Sequence, residues 1–392
     1  MTEQTIDVVL RSYPVTTQTF HYQRLAEFAR LNVLGTVWVE SKADGHVDHE
    51  LETSFGERLR FIGDLPAPSA KTLARHSRLL REAALLAKPG NGEGGPAAAV
   101  KQTMSGIRLG EHIRSAESPR IIHAAFCTAN LTIARAAATV AELPYSTEVH
   151  SPLSWFRNPE WFRAKVAEAS VVAVISDYTR KRVISVCPEA RDNIIEVHCG
   201  LPMRQETQAA ARGTPMITSV GGLVDKKGHD TFIRACALLD ECGQVIGGGD
   251  LEDELKRLVE QLNAPIDLLG ELPHAEVLDH ISSSRVGVLA ARHGAAGDED
   301  GLPVVLLEFL RVGAPLVSTP VAAIPSLLRS SATLAVTDDE VAVASAIEHQ
   351  LNPRTIAGNS RSKIESGYDS GREAQKLVKT LSCQISRVPS RA

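Results

Sequence analysis

Residues 217–230 read ITSVGGLVDKKGHD: an apolar, β-branched run, a glycine-containing loop that carries Lys226 and Lys227, and then the start of a helix. A strand that feeds a loop and then a helix is one βα unit, and such units join into parallel sheets. The pattern recurs on both sides of this stretch. Candidate strands upstream are 6–10, 33–39, 121–126, 146–149 and 171–175; downstream they are 216–220, 245–248, 266–269, 286–290, 316–319 and 334–336, with helical periodicity between them. The fold class is therefore α/β, and 392 residues exceed what one core usually supports, so two domains are expected. The polar segment 205–215 reads as the linker, and PGNGEGGPAAA at 89–99 as a mobile insertion loop.

Charge narrows the function. Lys and Arg number 42 against 47 Asp and Glu, a net charge of −5, which offers neither a footprint for nucleic acid nor a polybasic membrane anchor. The six cysteines have no zinc or thioredoxin spacing and the N-terminus does not read as a signal peptide, so reduced thiols and a cytoplasmic location are expected. No apolar run reaches eighteen residues, which excludes a spanning helix. Residues 70–87, AKTLARHSRLLREAALLA, form an amphipathic, Arg-bearing helical pattern whose Leu side packs on a sheet, with peripheral membrane contact as the alternative.

A second stretch, GDEDGLPVVLLE at 297–308, sets Asp300 and Glu308 on either side of a helix start at Gly301-Leu302-Pro303. Carboxylates accept hydrogen bonds from sugar hydroxyls, and the free N–H groups near Val304 and Val305 face an anion. Lys227 supplies positive charge beside a second helix N-terminus, where a diphosphate is already favoured. Sugar at one end and phosphate at the other is the inference.

These two stretches resemble the C-terminal domain of retaining glycosyltransferase family 4. IGGGDLEDELKRLVEQL at 246–262, IDLLGELPHAEVLDHI at 266–281 and GAPLVSTPVAAIPSLL at 313–328 continue the match in order and spacing. SYPVTTQTF at 12–20, RIIHAAF at 120–126, STEVH at 146–150, VVAVISDYTRKRV at 171–183 and IIEVHCGL at 194–201 are similar in the N-terminal half, and 42–115 is the weakest stretch. The resemblance implies two facing Rossmann-like domains (GT-B) with an inter-domain cleft: 1–207 for the acceptor, 208–366 for the donor, and 367–392 as a helix that crosses back to the first domain. It implies transfer of a sugar from a nucleoside diphosphate sugar to a small hydrophilic acceptor with retention, by a monomer or homodimer, with no cofactor and no metal.

It also implies roles. Lys227 would stabilise charge on the leaving phosphate, Glu308 would accept from the ribose, and Asp300, where the family has Glu, would contact the transferred sugar. Gly270 and Leu272 fall in the segment that holds the base through backbone groups. His150, after a strand, matches a histidine near the transferred sugar; His123 reads as a strand residue; Thr16 and Thr17 replace a glycine-rich loop and would touch phosphate or acceptor. Gly222 stands where the family commonly has Arg. One charge-assisted hydrogen bond is worth about 1.5–3 kcal/mol, so Arg292, Arg180 and Lys181 are considered as replacements and Lys226 as the solvated neighbour. Asp298-Glu299-Asp300 imitates a metal motif and is discounted, because lysine and helix N-termini already serve the diphosphate. Gly247-Gly248-Gly249 lacks dinucleotide spacing and reads as a tight turn. Gly222 and Asp300 together keep a second class open: a catalytically weakened GT-B protein acting as a sugar-nucleotide-binding partner subunit.

Overall fold

The computed structural model describes residues 4–15, 18–88, 94–115, 118, 120–150, 158–202, 216–294, 298–328, 331–352 and 367–387. They divide into two compact units, Met1–Pro202 with Ser370–Ala392, and Met203–Asp369.

The first unit is built on a seven-stranded parallel sheet: β1 (Thr5–Tyr13), β2 (Leu34–Lys42), β3 (Leu59–Phe61), β4 (Arg120–Ala124), β5 (Tyr145–Val149), β6 (Val171–Val174) and β7 (Ile194–Glu196), in the order β3-β2-β1-β4-β5-β6-β7. In β1 the five residues from Ile6 to Leu10 are all buried, because both faces of a parallel sheet are covered. Period 2 then splits them: Val9 packs with Ile122 and Leu131 in one core, while Ile6, Val8 and Leu10 pack with Tyr22 and Phe28 in another. The strands β3 and β7 lie at the two edges of this sheet and are only partly buried, so no apolar run announces them.

The second unit holds a six-stranded parallel sheet: β8 (Ile217–Val220), β9 (Gly243–Ile246), β10 (Ile266–Leu268), β11 (Val286–Leu289), β12 (Leu316–Ser318) and β13 (Thr333–Leu334), in the order β10-β9-β8-β11-β12-β13. Strand order reverses between β1 and β4 in one unit and between β8 and β11 in the other. In open α/β sheets the crevice for a ligand lies at the strand C-termini beside such a reversal.

Helix Ser370–Ile385 belongs to the first unit. Ala374, Leu377, Leu381 and Ile385 recur at helical spacing and join the core that contains Ile121, Val171 and Ala173. Glu373 Oε2 accepts from the His198 backbone N–H at 2.7 Å, and Gln4 Nε2 donates to Ser386 Oγ at 2.8 Å.

Two local readings are corrected. The expected insertion loop 89–99 overlaps helix Gly95–Ile113, which Gly94 opens in a left-handed conformation with Pro in the first turn; 89–93 and the linker 205–215 lie outside the described residues. The helix expected over 70–87 is two, Ala70–Arg75 and Ser77–Leu86, interrupted at His76. Ser69 caps the first by accepting from Thr72 N–H, and Leu85 on the second is 79% exposed, so the Leu side is not wholly packed. Among the described residues no helix is long and apolar enough to cross a membrane, and all six cysteines are free.

Candidate functional site

In the second unit the loops after β8 and β11, at the strand reversal, meet through charge. The short turn Asp225–Lys227 leads into Gly228 and then helix His229–Leu239. Gly228 has φ 65°, and a Cβ there would stand 1.9 Å from the Ala290 carbonyl oxygen, so only glycine lets the β8 loop lie against the end of β11. That contact positions the lysines. Lys227 Nζ donates to Asp300 Oδ2 at 2.5 Å, and Lys226 Nζ reaches Asp298 Oδ1 at 3.0 Å and Asp300 Oδ1 at 3.2 Å. Burial would raise the Asp300 carboxyl, but Lys227 and Lys226 overcome it and hold the group below its usual range.

Lys226 is therefore not the solvated neighbour that was expected: its side chain is 18% exposed and shared between two carboxylates, which raise it against burial. In Asp298-Glu299-Asp300 the two aspartates meet the lysines, and buried Glu299 lies 2.8 Å from His293 Nδ1. Arg292 reaches Asp225 at 2.7 Å, Asp230 at 2.9 Å and Asp338 at 3.3 Å, and so is already committed. Arg180 and Lys181 lie on helix Asp177–Val186 of the first unit, where Lys181 pairs with Asp177. Gly222 itself has room: a Cβ would meet only the Gly248 carbonyl oxygen, at 3.8 Å. The glycine run is a tight turn, as read, for a Cβ on Gly247 would lie 2.0 Å from the Gly221 oxygen.

Helix Val304–Val312 starts after Pro303 with no side-chain cap and no acidic residue in its first turn, so its N-terminus is suited to an anion. Gly301, Leu302 and Pro303 are buried in front of it. Four residues into the helix, Glu308 has a side chain 9% exposed and accepts at Oε1 from His274 Nε2 at 2.8 Å. His274 begins helix His274–Ser282, just after Leu272. Gly270 has φ 72°, with its carbonyl accepting from Gly247 N–H at 2.8 Å, which ties the β10 loop to the β9 loop. The second unit thus brings Lys227, Asp300, the 301–305 helix start and Glu308 onto two adjacent loops and one helix.

In the first unit His150 follows β5 and His123 lies inside β4, as read. His150 is walled by Phe20, His21 and Phe126, with ring centroids 5.1, 4.8 and 5.2 Å away, and its side chain is 9% exposed. Its Nδ1 lies 3.3 Å from Cys199 Sγ and its Nε2 3.3 Å from Glu148 Oε2. Burial would lower this imidazole; Cys199 and Glu148 outweigh burial and push it up to about 9. Glu148 is buried and accepts from Arg24 Nη1 at 2.8 Å, and His123 Nε2 lies 3.0 Å from its Oε1. Thr16 and Thr17 lie outside the described residues.

Sequence reasoning passed over Glu148, Arg24, His21, His274 and the structural use of Lys226. One signal was available: Glu148 and His150 are two apart in a strand, which puts both on one face.

Residues 214–352 match the family described as Glycosyl transferases group 1. The chain is similar to the putative colanic acid biosynthesis glycosyltransferase WcaL of Escherichia coli strain K12, 30% identical over 213 residues covering 50% of this chain and 52% of that protein. It is also similar to the amylovoran biosynthesis glycosyltransferase AmsK of Erwinia amylovora, 28% identical over 236 residues and 55% and 56% of the two chains. The chain thus spans about half the length of the curated relatives it matches. Among solved structures, Anabaena Alr3699/HepE in complex with UDP-glucose aligns with a TM-score of 0.70 at 13% identity over 97% of this chain and 99% of that one. Sucrose-phosphate synthase from Thermosynechococcus elongatus aligns at 0.72 and 15% over 98% and 100%. The fold is that of these proteins: two parallel-sheet, Rossmann-like units of the GT-B kind.

Proposed function

We propose that this chain is a glycosyltransferase of glycan biosynthesis that takes its sugar from a nucleoside diphosphate donor held by the second unit. The single observation that supports the reading best is the Lys227–Asp300 pair beside the uncapped helix at Val304. A cation and free N–H groups suit a diphosphate, and two part-buried carboxylates, Asp300 and Glu308, suit the hydroxyls of the sugar and the ribose. Gly270 and Leu272 would border the base. The names of the relatives, which place them in colanic acid and amylovoran biosynthesis, favour a glycan precursor as acceptor over an unrelated small metabolite. In this reading the first unit serves the acceptor, with His150 near the transferred sugar.

The chemistry proposed is transfer with retention. The bond from the anomeric carbon to the phosphate oxygen breaks, the acceptor oxygen bonds to the same face, and the acceptor proton passes to the departing phosphate oxygen. Lys227 and the N–H groups of Val304 and Val305 would stabilise the charge on that phosphate, with no metal at the diphosphate and no protein nucleophile. A second reading, a sugar-nucleotide-binding partner with weakened catalysis, is favoured by one observation: Gly222 leaves the diphosphate one cation short, and Arg292 is held by three carboxylates.

The test is incubation with a panel of nucleoside diphosphate sugars, with and without oligosaccharide acceptors, following nucleotide release and the anomeric configuration of any product. Release that depends on acceptor and yields the donor's own configuration is the expected result. Donor binding without release under any acceptor selects the second reading, and no binding of any nucleotide sugar overturns both.

A further inference from the structure

A different cluster, at the C-terminal ends of β4 and β5 in the first unit, is not used by the diphosphate chemistry. His21, on helix Thr19–Arg30, is 3% exposed; Glu148 is 1% exposed; and one ligand atom from each of His21, Glu148 and His150 lies within 4.8 Å of the others. One of the groups lacks a directed partner: Nε2 of His21 is buried and makes no hydrogen bond, while Nε2 of His150 meets only Glu148 Oε2, at 3.3 Å. A buried polar atom left unpaired is costly, and native structures usually satisfy it with a ligand, an ion or a water.

We propose that His21, Glu148 and His150 form a binding site for a divalent metal ion of the zinc class. Two imidazole nitrogens and one carboxylate are the donor set zinc accepts, and three protein ligands leave a fourth position open. The surroundings orient the ligands. Cys199 Sγ lies 3.3 Å from His150 Nδ1, so the ring's other nitrogen is the one turned toward Glu148 and the ion. Arg24 and His123 fix the Glu148 carboxylate, and Ser146 Oγ lies 2.8 Å from His123 Nδ1 in turn. Ligands about 2.1 Å from one ion stand at most roughly 4 Å apart, so side-chain movements of about 1 Å close the shell. Arg24 opposes a second cation here: it donates to Glu148 Oε2, the oxygen that His150 Nε2 also faces, and to the His198 carbonyl, so an ion would share the carboxylate with the guanidinium. The rings of Phe20 and Phe126 pack against His150, with centroids 5.1 and 5.2 Å away.

This site does not rest on the sugar-transfer reading, and a metal on His150 Nε2 would make that residue a ligand in place of a sugar contact. The experiment therefore uses the full chain, stripped with chelator and free of nucleotide. It is titrated with Zn²⁺ by calorimetry and with Co²⁺ by visible absorption. The expected result is saturation at one equivalent, a melting temperature that climbs with free Zn²⁺, and cobalt ligand-field bands without thiolate charge transfer. His21→Gln and His150→Gln should each weaken binding by at least about tenfold, and Cys199→Ser should retain it. Absence of a saturable equivalent, a strong thiolate band, or unchanged affinity in both histidine variants overturns the proposal. If neither variant folds, the wild-type cobalt spectrum decides by itself.

Discussion

Lys227 Nζ and Asp300 Oδ2 are 2.5 Å apart, so the cation assigned to the diphosphate is already neutralised by the carboxylate assigned to the sugar. On the proposed function a donor would have to separate the two, its phosphates replacing Asp300 on Lys227 and its sugar hydroxyls replacing Lys227 on Asp300.

Competition of this kind gives Asp300→Asn an unusual signature. Removing the carboxylate charge frees Lys227 for phosphate, and a charged hydrogen bond is worth about 1.5–3 kcal/mol. Free nucleoside diphosphate should bind about tenfold more tightly by calorimetry, while turnover of the intact donor falls. Weaker diphosphate binding would show that Asp300 supports the phosphate site.

Lys227→Ala should lower turnover by about 10²–10³-fold, the usual loss when one donor to a developing oxyanion is removed. Lys226→Ala should cost much less, since Lys226 is divided between Asp298 at 3.0 Å and Asp300 at 3.2 Å. Steady-state rates of the two variants on one donor make the comparison.

Gly222→Arg is predicted to gain function. The position faces open space as far as the Gly248 oxygen at 3.8 Å, so the backbone tolerates a side chain. A guanidinium–phosphate contact beside that of Lys227 would tighten donor binding roughly tenfold to a hundredfold, read as a lower KM.

Gly228→Ala should be among the most damaging single changes in the second unit. Left-handed backbone strain and a Cβ 1.9 Å from the Ala290 oxygen together should cost about 3 kcal/mol or more. Urea unfolding followed by circular dichroism measures it; a cost under about 1 kcal/mol would mean the β8 loop does not press on the end of β11.

The anchor of helix Ser370–Ile385 should depend on pH. Burial opposes charge on both His198 and Glu373, yet their mutual contact, with Glu196 and Lys376 nearby, raises His198 and lowers Glu373. The raised His198 stabilises fully below its unfolded value of about 6.5 and is lost as pH climbs through its folded value. Glu373 stabilises above its unfolded value of about 4.3 and is lost as pH falls through its lowered one. Hydrogen exchange in this helix, corrected for intrinsic rates, should be slowest between those limits and faster on both sides.

How much of this was legible follows from physical range. The strands β1, β4, β8 and β11 were readable because burial on both faces writes itself as a mostly apolar run, whereas β3 and β7, at the two edges of their sheet, are only partly buried and carry no such run. The motif at 300–308 was readable because its groups are neighbours in sequence. Lys226 was misjudged because its partners, Asp298 and Asp300, lie 72 residues away for the first of them, and no local rule reports a pairing across two loops. The break at His76 escaped for the opposite reason: apolar spacing continues across it, and only the backbone departs, at φ −106° and ψ 18°.

Because Ser370–Ile385 completes a core begun by β1 and β4, the first unit draws on two segments that flank the second, while the second is one uninterrupted segment. On the ribosome, where domains fold as they emerge, the segment in the middle can mature first. The earlier-made sheet waits, with Ile121 and Ala173 lacking cover, until translation delivers Leu377 and Leu381.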